Sequence, residues 1–446
     1  MRSVMPRPAN SDRYLIALSP CARALSAMFL AWALAGCSEQ DPEPRELAPY
    51  DERGPFAVGF RTLEAPASGD APALTVKVWY PAAAGTPAQD EIDYALELKQ
   101  ADWQGIESPV VHGHAVADAP VQSDYGARPV VVFSHGYSLN PELYAELVEH
   151  YASKGFVVLA PEHMEADWLL AGGPTFVRPR AVTRTLDLAA SLAGEGPFAG
   201  GIDMENVAVV GHSFGGYTTL AAAGARLDLA ALEEHCAAVA PEDSKASLCA
   251  PFQGRAEELA ALAGLDQVPS GLWPSQGDPR VDAIVPMAPD AFLFDRAGLS
   301  SITIPMMAIG GTGDFITPWD WSSQLAYEGV SSARKSLVAF VGAGHLIPTD
   351  SCENMPFTSQ LPDLHREVIC TDPAWDKAAA RRWIRHFSTA FLLDVLTGDA
   401  EAKAALASGA EVPPELVHTA TPDGGAEGAY HRRGCADGAS WPWQLW

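Results

Sequence analysis

Val207-Ala208-Val209-Val210-Gly211-His212-Ser213-Phe214-Gly215-Gly216-Tyr217-Thr218-Thr219-Leu220-Ala221-Ala222 is the stretch that decides how the chain folds. Its apolar opening predicts a strand covered on both faces, and the small apolar residues after Phe214 predict a helix. Between them lies G-x-S-x-G. A serine on so sharp a strand-to-helix turn takes a strained backbone that lifts its Oγ out of the sheet. Side chains two residues to either side would collide there, so the turn requires Gly211 and Gly215. The helix that starts at Phe214 aims its positive end at the hydroxyl. Ser213 is therefore the candidate nucleophile.

A hydroxyl needs a base, and the base needs an acid to orient it. On a turn of this kind the chain order is Ser, then Asp or Glu, then His. Downstream, the apolar run Ile304–Ile309 leads into Gly310-Gly311-Thr312-Gly313-Asp314, and the run Leu337–Val341 leads into Gly342-Ala343-Gly344-His345. Both residues follow the ends of buried strands, where catalytic loops belong, so Asp314 and His345 are the candidate acid and base. Acyl transfer also needs donors for an oxyanion. The N–H of Phe214 supplies one, and the loop Phe133-Ser134-His135-Gly136-Tyr137-Ser138 supplies a second through the N–H of Tyr137. His135, His212 and His163 read as scaffold residues.

Outward from this centre, eight strands are expected. Phe56–Thr62 and Ala73–Tyr80 alternate apolar and polar residues; Pro129–Phe133, Phe156–Ala160, Val207–Val210, Ala283–Met287, Ile304–Ile309 and Leu337–Val341 are continuous apolar runs. Helical stretches lie between them at Pro141–Ser153, Arg180–Leu192, Phe214–Ala225 and Trp321–Tyr327, with Ala374–Leu396 closing the set. The expected fold class is α/β, a mostly parallel eight-stranded sheet with helices on both faces and the site at the strands' carboxyl ends. Residues 226–280 interrupt the alternation and read as an inserted cap.

The composition excludes several classes. Of 446 residues, 48% are apolar, which is enough for a large core; Lys plus Arg is 29 against 56 for Asp plus Glu, a net charge of −27. Such a chain repels phosphate backbones, which argues against a nucleic-acid partner. No apolar run reaches the roughly 18 residues that a bilayer span needs. No CxxC pair or HExxH motif is present, and His112-Gly113-His114 offers too few ligands for a metal site. The expected chemistry uses no metal and no cofactor.

Arg2, Arg7, Arg13 and Arg23 precede the apolar stretch Ala24–Ala35, which runs into Leu34-Ala35-Gly36-Cys37. A basic lead, a short apolar core and small residues before a cleavage point describe an export signal. The last four residues resemble a bacterial lipobox, which implies acylation of Cys37 and anchoring to a membrane. Ser38, rather than an aspartate, resembles the sorting pattern of the outer membrane. The expected organisation is a signal at 1–36, an acidic, proline-rich tether at 37–54, a catalytic domain at 55–400 and a tail at 401–446. Export implies an oxidising compartment. Nearest-neighbour pairing joins Cys236 to Cys249 and Cys352 to Cys370 and leaves Cys435 over, although five cysteines allow other pairings.

Together, Val131-Val132-Phe133-Ser134-His135-Gly136, Pro161-Glu162-His163 and Gly211-His212-Ser213-Phe214-Gly215-Gly216 resemble the α/β-hydrolases that include secreted platelet-activating-factor acetylhydrolase and dienelactone-hydrolase-like esterases. The resemblance covers most of residues 55–395 and implies a serine carboxylic-ester hydrolase acting on short-chain or phospholipid-type acyl esters. It departs from dienelactone hydrolases in carrying serine where those have cysteine. It also implies an alternative acid, because the acetylhydrolase carries its acid in a segment resembling Ala288-Pro289-Asp290-Ala291-Phe292-Leu293-Phe294; that alternative is Asp290. A polyester or cutinase-like hydrolase and a non-catalytic binding lipoprotein are the competing functional readings.

If Cys37 is acylated, the full chain partitions into detergent and incorporates labelled palmitate, and Cys37→Ala loses both. Several acyl chains are needed for firm anchoring, because one alone binds a membrane only marginally. Continued partitioning of the variant would remove the lipoprotein reading.

Overall fold

The computed structural model describes residues 50–421 except 70, 87–91, 99–102, 104, 123–125, 166, 168–169 and 408–411. The expected export signal, Cys37, the tether as far as residue 49, Cys435 and the tail from residue 422 lie outside the described residues.

Twelve strands are described: β1 (Val58–Ala65), β2 (Leu74–Pro81), β3 (Ile92–Ala95), β4 (Val110–Gly113), β5 (Val116–Ala117), β6 (Arg128–Ser134), β7 (Val157–Pro161), β8 (Ile202–His212), β9 (Ala283–Met287), β10 (Met306–Gly311), β11 (Lys335–Phe340) and β12 (Leu416–Ala420). Ten form one sheet in the order β12-β11-β10-β9-β8-β6-β7-β2-β1-β5, and β3 pairs with β4 apart from it. Neighbours from β7 through β6, β8, β9 and β10 to β11 run parallel; β2 pairs antiparallel with both β7 and β1, β12 pairs antiparallel with β11, and β5 pairs parallel with β1. The eight strands read from the sequence lie side by side in this sheet, with β5 and β12 added at its two edges. This is the α/β-hydrolase fold.

Why the middle strands form here is clear from their burial. Every residue of β7, β9 and β10 is buried, so continuous Val, Ile, Leu and Ala are what both faces require. β8 is longer than its apolar run because Ile202–Asn206 extends it through polar residues at the rim. The helices are α1 (Ala145–Ser153), α2 (Pro174–Gly194), α3 (Phe214–Ala222), α4 (Leu229–Ala238), α5 (Lys245–Cys249), α6 (Ala256–Ala263), α7 (Asp295–Leu299), α8 (Ser323–Gly329), α9 (Asp363–Cys370), α10 (Lys377–Thr397) and α11 (Ala400–Ala405). Helix α2 starts six residues before the expected Arg180, with Pro174 in its first turn, where a missing N–H costs nothing.

Two boundaries differ from those expected. Leu416–Ala420, assigned to the tail, pairs with β11 from Ser336 to Phe340. In the stretch assigned to the tether, Tyr50 and Asp51 are buried; Tyr50 O accepts from His150 Nε2 at 2.9 Å, and Asp51 Oδ2 accepts from Arg382 at 3.0 Å.

Within 226–280, α4, α5 and α6 turn Leu229, Leu232, Leu248 and Leu259, with Phe252 from the turn between α5 and α6, onto the same core as Phe176 and Leu293. The Asp228 side chain caps α4 by accepting from Ala231 N–H at 3.2 Å. Cys236 and Cys249 are bonded, joining α4 to α5, with Cα atoms 5.7 Å apart. Cys352 and Cys370 are bonded as well, fastening the segment after His345 to the end of α9.

The Cys236–Cys249 bridge closes a loop with a sequence separation of 13, worth about 3 kcal/mol on the chain-entropy model. Cys236→Ser with Cys249→Ser is expected to lower the urea midpoint accordingly. It should also change acyl-length preference more than turnover of a short ester. A variant with unchanged stability and unchanged selectivity would show that the bridge holds nothing in place.

Candidate active site

The strand-to-helix turn has the strain that its motif demands. Ser213 sits between β8 and α3 at φ 59° and ψ −125°, a left-handed conformation that costs a non-glycine residue about 1–3 kcal/mol. Within 207–222 it is the one residue that is not buried. A Cβ on Gly215 would lie 1.9 Å from the Ser134 carbonyl oxygen, and one on Gly211 would lie 2.3 Å from that of Gly215. The glycines are thus clearance for one backbone passing over another.

Asp314 and His345 are brought together. Gly311 and Gly313 let the loop after β10 press on the loop after β11, where added Cβ atoms would lie 2.2 Å from Ala343 O and 2.5 Å from Gly342 O. His345 Nδ1–H donates to Asp314 Oδ2 at 2.7 Å, and both side chains are buried. The backbone N–H groups of Ile316 and Thr317 each donate to Asp314 Oδ1 at 2.9 Å. Thr317 Oγ1 lies 2.9 Å from Asp314 Oδ2 and 3.1 Å from Ala288 O. Burial opposes protonation of His345, but the charge of Asp314 and its hydrogen bond outweigh this, and the pKa is held above 6.5.

Asp290, after β9, is fully buried nearby and makes no hydrogen bond to His345 among the described residues; its Oδ2 has no hydrogen-bond partner. Burial pushes its carboxyl up to about 7; His345 and Arg178 pull it down and the charge of Asp314 pushes it up.

The loop after β6 is tied to the nucleophile turn by histidines. Gly136 N–H donates to Tyr144 Oη at 3.3 Å, and Tyr144 Oη–H donates to His212 Nδ1 at 2.8 Å. His212 Nε2–H then donates to the carbonyl of His345 at 2.9 Å. A carbonyl only accepts, which fixes the His212 tautomer. Burial first, and then the neighbouring His345, hold its pKa well below 6.5, so it stays neutral. His135 Nε2 accepts from His163 N–H at 2.9 Å while His163 Nε2 meets Ser134 Oγ at 3.1 Å. These contacts are those of props for a loop, as expected for His135, His163 and His212. The rings of Tyr137 and Phe214, whose N–H groups are the candidate oxyanion donors, meet edge to face at 5.4 Å.

Three residues escaped the sequence reading. Tyr144 and Arg178 lie in segments that carry no motif. Thr317 had a signal, because an Asp followed three residues on by Thr is a common side-chain-to-backbone turn.

Comparison with known proteins agrees with the fold. The chlorophyllase family model matches residues 115–243, and that of platelet-activating factor acetylhydrolase, isoform II, matches residues 51–169. Chlorophyllase-1, chloroplastic, of Citrus unshiu is 33% identical over 107 residues, covering 22% of this chain and 30% of that protein. Chlorophyllase-2 of Arabidopsis thaliana is 32% identical over 117 residues, covering 26% and 35%. The chain therefore spans about a third of the length of the curated relatives it matches. The matched residues include Tyr137 and Ser213 and end before Asp314 and His345.

A base must be neutral to accept a proton, so with His345 in its expected role as base the rate should rise as pH climbs through its pKa. Because that pKa lies above 6.5, the acidic limb of kcat/KM is expected to have its midpoint above 6.5. Asp314→Asn removes the charge that raises it; the midpoint should fall, and kcat should drop by about 10⁴, as the same change to the triad aspartate of a serine protease does. Asp290→Asn should stay within about tenfold of wild type. The reverse pattern, with both variants folded by circular dichroism, would assign the acid to Asp290.

Proposed function

We propose that the chain is a serine carboxylic-ester hydrolase acting on short-chain or phospholipid-type acyl esters through Ser213, His345 and Asp314. The observation that carries this reading is the buried 2.7 Å contact between Asp314 and His345 on loops that pack beside the strained Ser213 turn. Both families whose models match part of the chain are ester hydrolases of this fold.

On this reading, Ser213 Oγ attacks the ester carbonyl and its proton passes to His345 Nε2, the ring nitrogen not turned to Asp314. The carbonyl oxygen becomes an oxyanion, stabilised by the N–H groups of Phe214 and Tyr137; one such donor is worth about 10²–10³ in kcat. Collapse expels the alcohol, which takes the proton from His345 Nε2. Water then attacks the acyl-enzyme, giving its proton to His345 Nε2; collapse breaks the bond to Ser213 Oγ, which takes that proton back as the carboxylic acid leaves. Asp314 keeps the imidazole in the correct tautomer and balances its transient positive charge. Lipid at Cys37 would hold this body at the outer membrane, close to its substrates.

A fluorophosphonate should add to Ser213 in a single labelled peptide, and Ser213→Ala should abolish both the adduct and turnover. In a panel of p-nitrophenyl esters, acyl chains of two to four carbons should turn over at least tenfold faster than those of twelve or more. Preference for a polyester film would favour the polymer reading. A folded protein with no adduct and no turnover would leave a binding protein on a hydrolase fold.

A further inference from the structure

Arg178, on α2, has no exposed surface at all. Its Nε and Nη2 donate to the two carboxylate oxygens of Glu165 at 2.6 and 3.0 Å. Its Nη1 donates to the His135 carbonyl at 2.6 Å and its Nη2 to the Gly136 carbonyl at 3.3 Å. The guanidinium also lies over two aromatic rings, 5.2 Å from the centroid of Phe214 and 5.8 Å from that of Tyr137. Burial alone would raise the Glu165 carboxyl, but the Arg178 charge and hydrogen bonds outweigh it and hold the pKa below the ordinary value.

The two carbonyls that Arg178 holds are informative. In a trans peptide the C=O and the following N–H lie in one plane and point in opposite directions. Fixing His135 C=O therefore fixes Gly136 N–H, which donates to Tyr144. Fixing Gly136 C=O likewise fixes Tyr137 N–H, the second oxyanion donor of the proposed mechanism. His135 Nδ1–H at 2.8 Å and Leu139 N–H at 3.2 Å share that carbonyl oxygen, so the peptide plane is held from several sides.

We propose that Arg178, paired with Glu165, is the positioning residue of the oxyanion hole: its planar fork sets the Gly136–Tyr137 peptide so that the Tyr137 N–H meets the developing negative charge, while its face packs on the ring of Phe214, the other donor residue. The inference rests on the ester-hydrolase reading and adds to it a group that never touches substrate. Stability alone is a poor reason for such a pair, because the desolvation of a buried ion pair usually cancels its attraction. Lysine could not replace it, since a single ammonium lacks the fork that reaches a carboxylate and two carbonyls together.

The test compares p-nitrophenyl acetate with its thiono analogue, in which sulfur replaces the carbonyl oxygen. Sulfur is a weak hydrogen-bond acceptor, so the oxo-to-thiono ratio of kcat/KM reports the oxyanion hole. Arg178→Lys is expected to lose about 10² in kcat on the oxoester, the range seen when one donor is removed. KM should stay within about threefold, and the oxo-to-thiono ratio should fall at least tenfold. Arg178→Met combined with Glu165→Leu removes the pair in favour of apolar side chains; its Tm should equal or exceed that of wild type, and its ratio should fall in the same way. Equal losses on both esters, no loss in a folded variant, or unfolding of both variants would overturn the proposal, since the pair would then act on the fold and not on the hole. If the wild type neither takes a fluorophosphonate at Ser213 nor hydrolyses the oxoester, the ester-hydrolase reading itself fails, and that result precedes any comparison of variants.

Discussion

One close backbone approach sets the rest of the candidate site: the Ser213 turn passes directly over the loop that follows β6. Gly215 meets the carbonyl of Ser134 at a distance that leaves no room for a methyl group, and Gly211 meets the carbonyl of Gly215 in the same way. That approach seats the Ser213 turn directly against the backbone of the loop after β6. It is also what forces Ser213 to a positive φ. The strain is offset by what flanks it, since Val207–His212 and Phe214–Ala222 are buried throughout. A turn between two such well-anchored elements cannot relax without disturbing both.

Hydrogen bonds then connect loops from separate strands. The line from Gly136 through Tyr144 and His212 to the carbonyl of His345 joins the loop after β6, the Ser213 turn and the loop after β11. Each member is buried, so a missing partner would leave an unsatisfied polar group in a dry interior. The high cost of partial satisfaction is what makes the line a good register for three loops. A histidine suits the middle position because it donates at one end and accepts at the other, provided it stays neutral, which the burial of His212 ensures.

What was legible in the sequence was whatever a short segment determines by itself. The strand, serine turn and helix around Ser213 carry their own glycine pattern, β7, β9 and β10 lack charged and hydroxyl side chains from end to end, and β6 and β11 hold apolar runs at Val130–Phe133 and Leu337–Phe340. Asp314 and His345, which the structure brings into contact, could be singled out because each follows such a run. The edge strand β12 was missed because five residues, Leu416–Ala420, with an exposed valine and a half-buried histidine, carry no buried-strand signature. Tyr50 and Asp51 were missed because local composition there is that of a tether, while their burial depends on α1 and α10, far along the chain. Arg178 was missed for a related reason. A charged residue at a helix start reads as surface, and only the assembled loop shows the carbonyls it holds.

The two carboxyls beside His345 show how environment separates identical chemistry. Asp314 has two backbone N–H groups on one oxygen and the imidazole on the other. Asp290 is buried, one of its oxygens has no donor among the described residues, and the charge of Asp314 works against a second ionisation. Two carboxylates facing one imidazole would stabilise its cation before any substrate arrived, and a histidine already protonated cannot serve as a base. Holding Asp290 near its neutral form leaves one negative charge opposite the imidazole. On the proposed reading, that charge would compensate the imidazolium formed during attack while leaving the resting ring able to accept a proton.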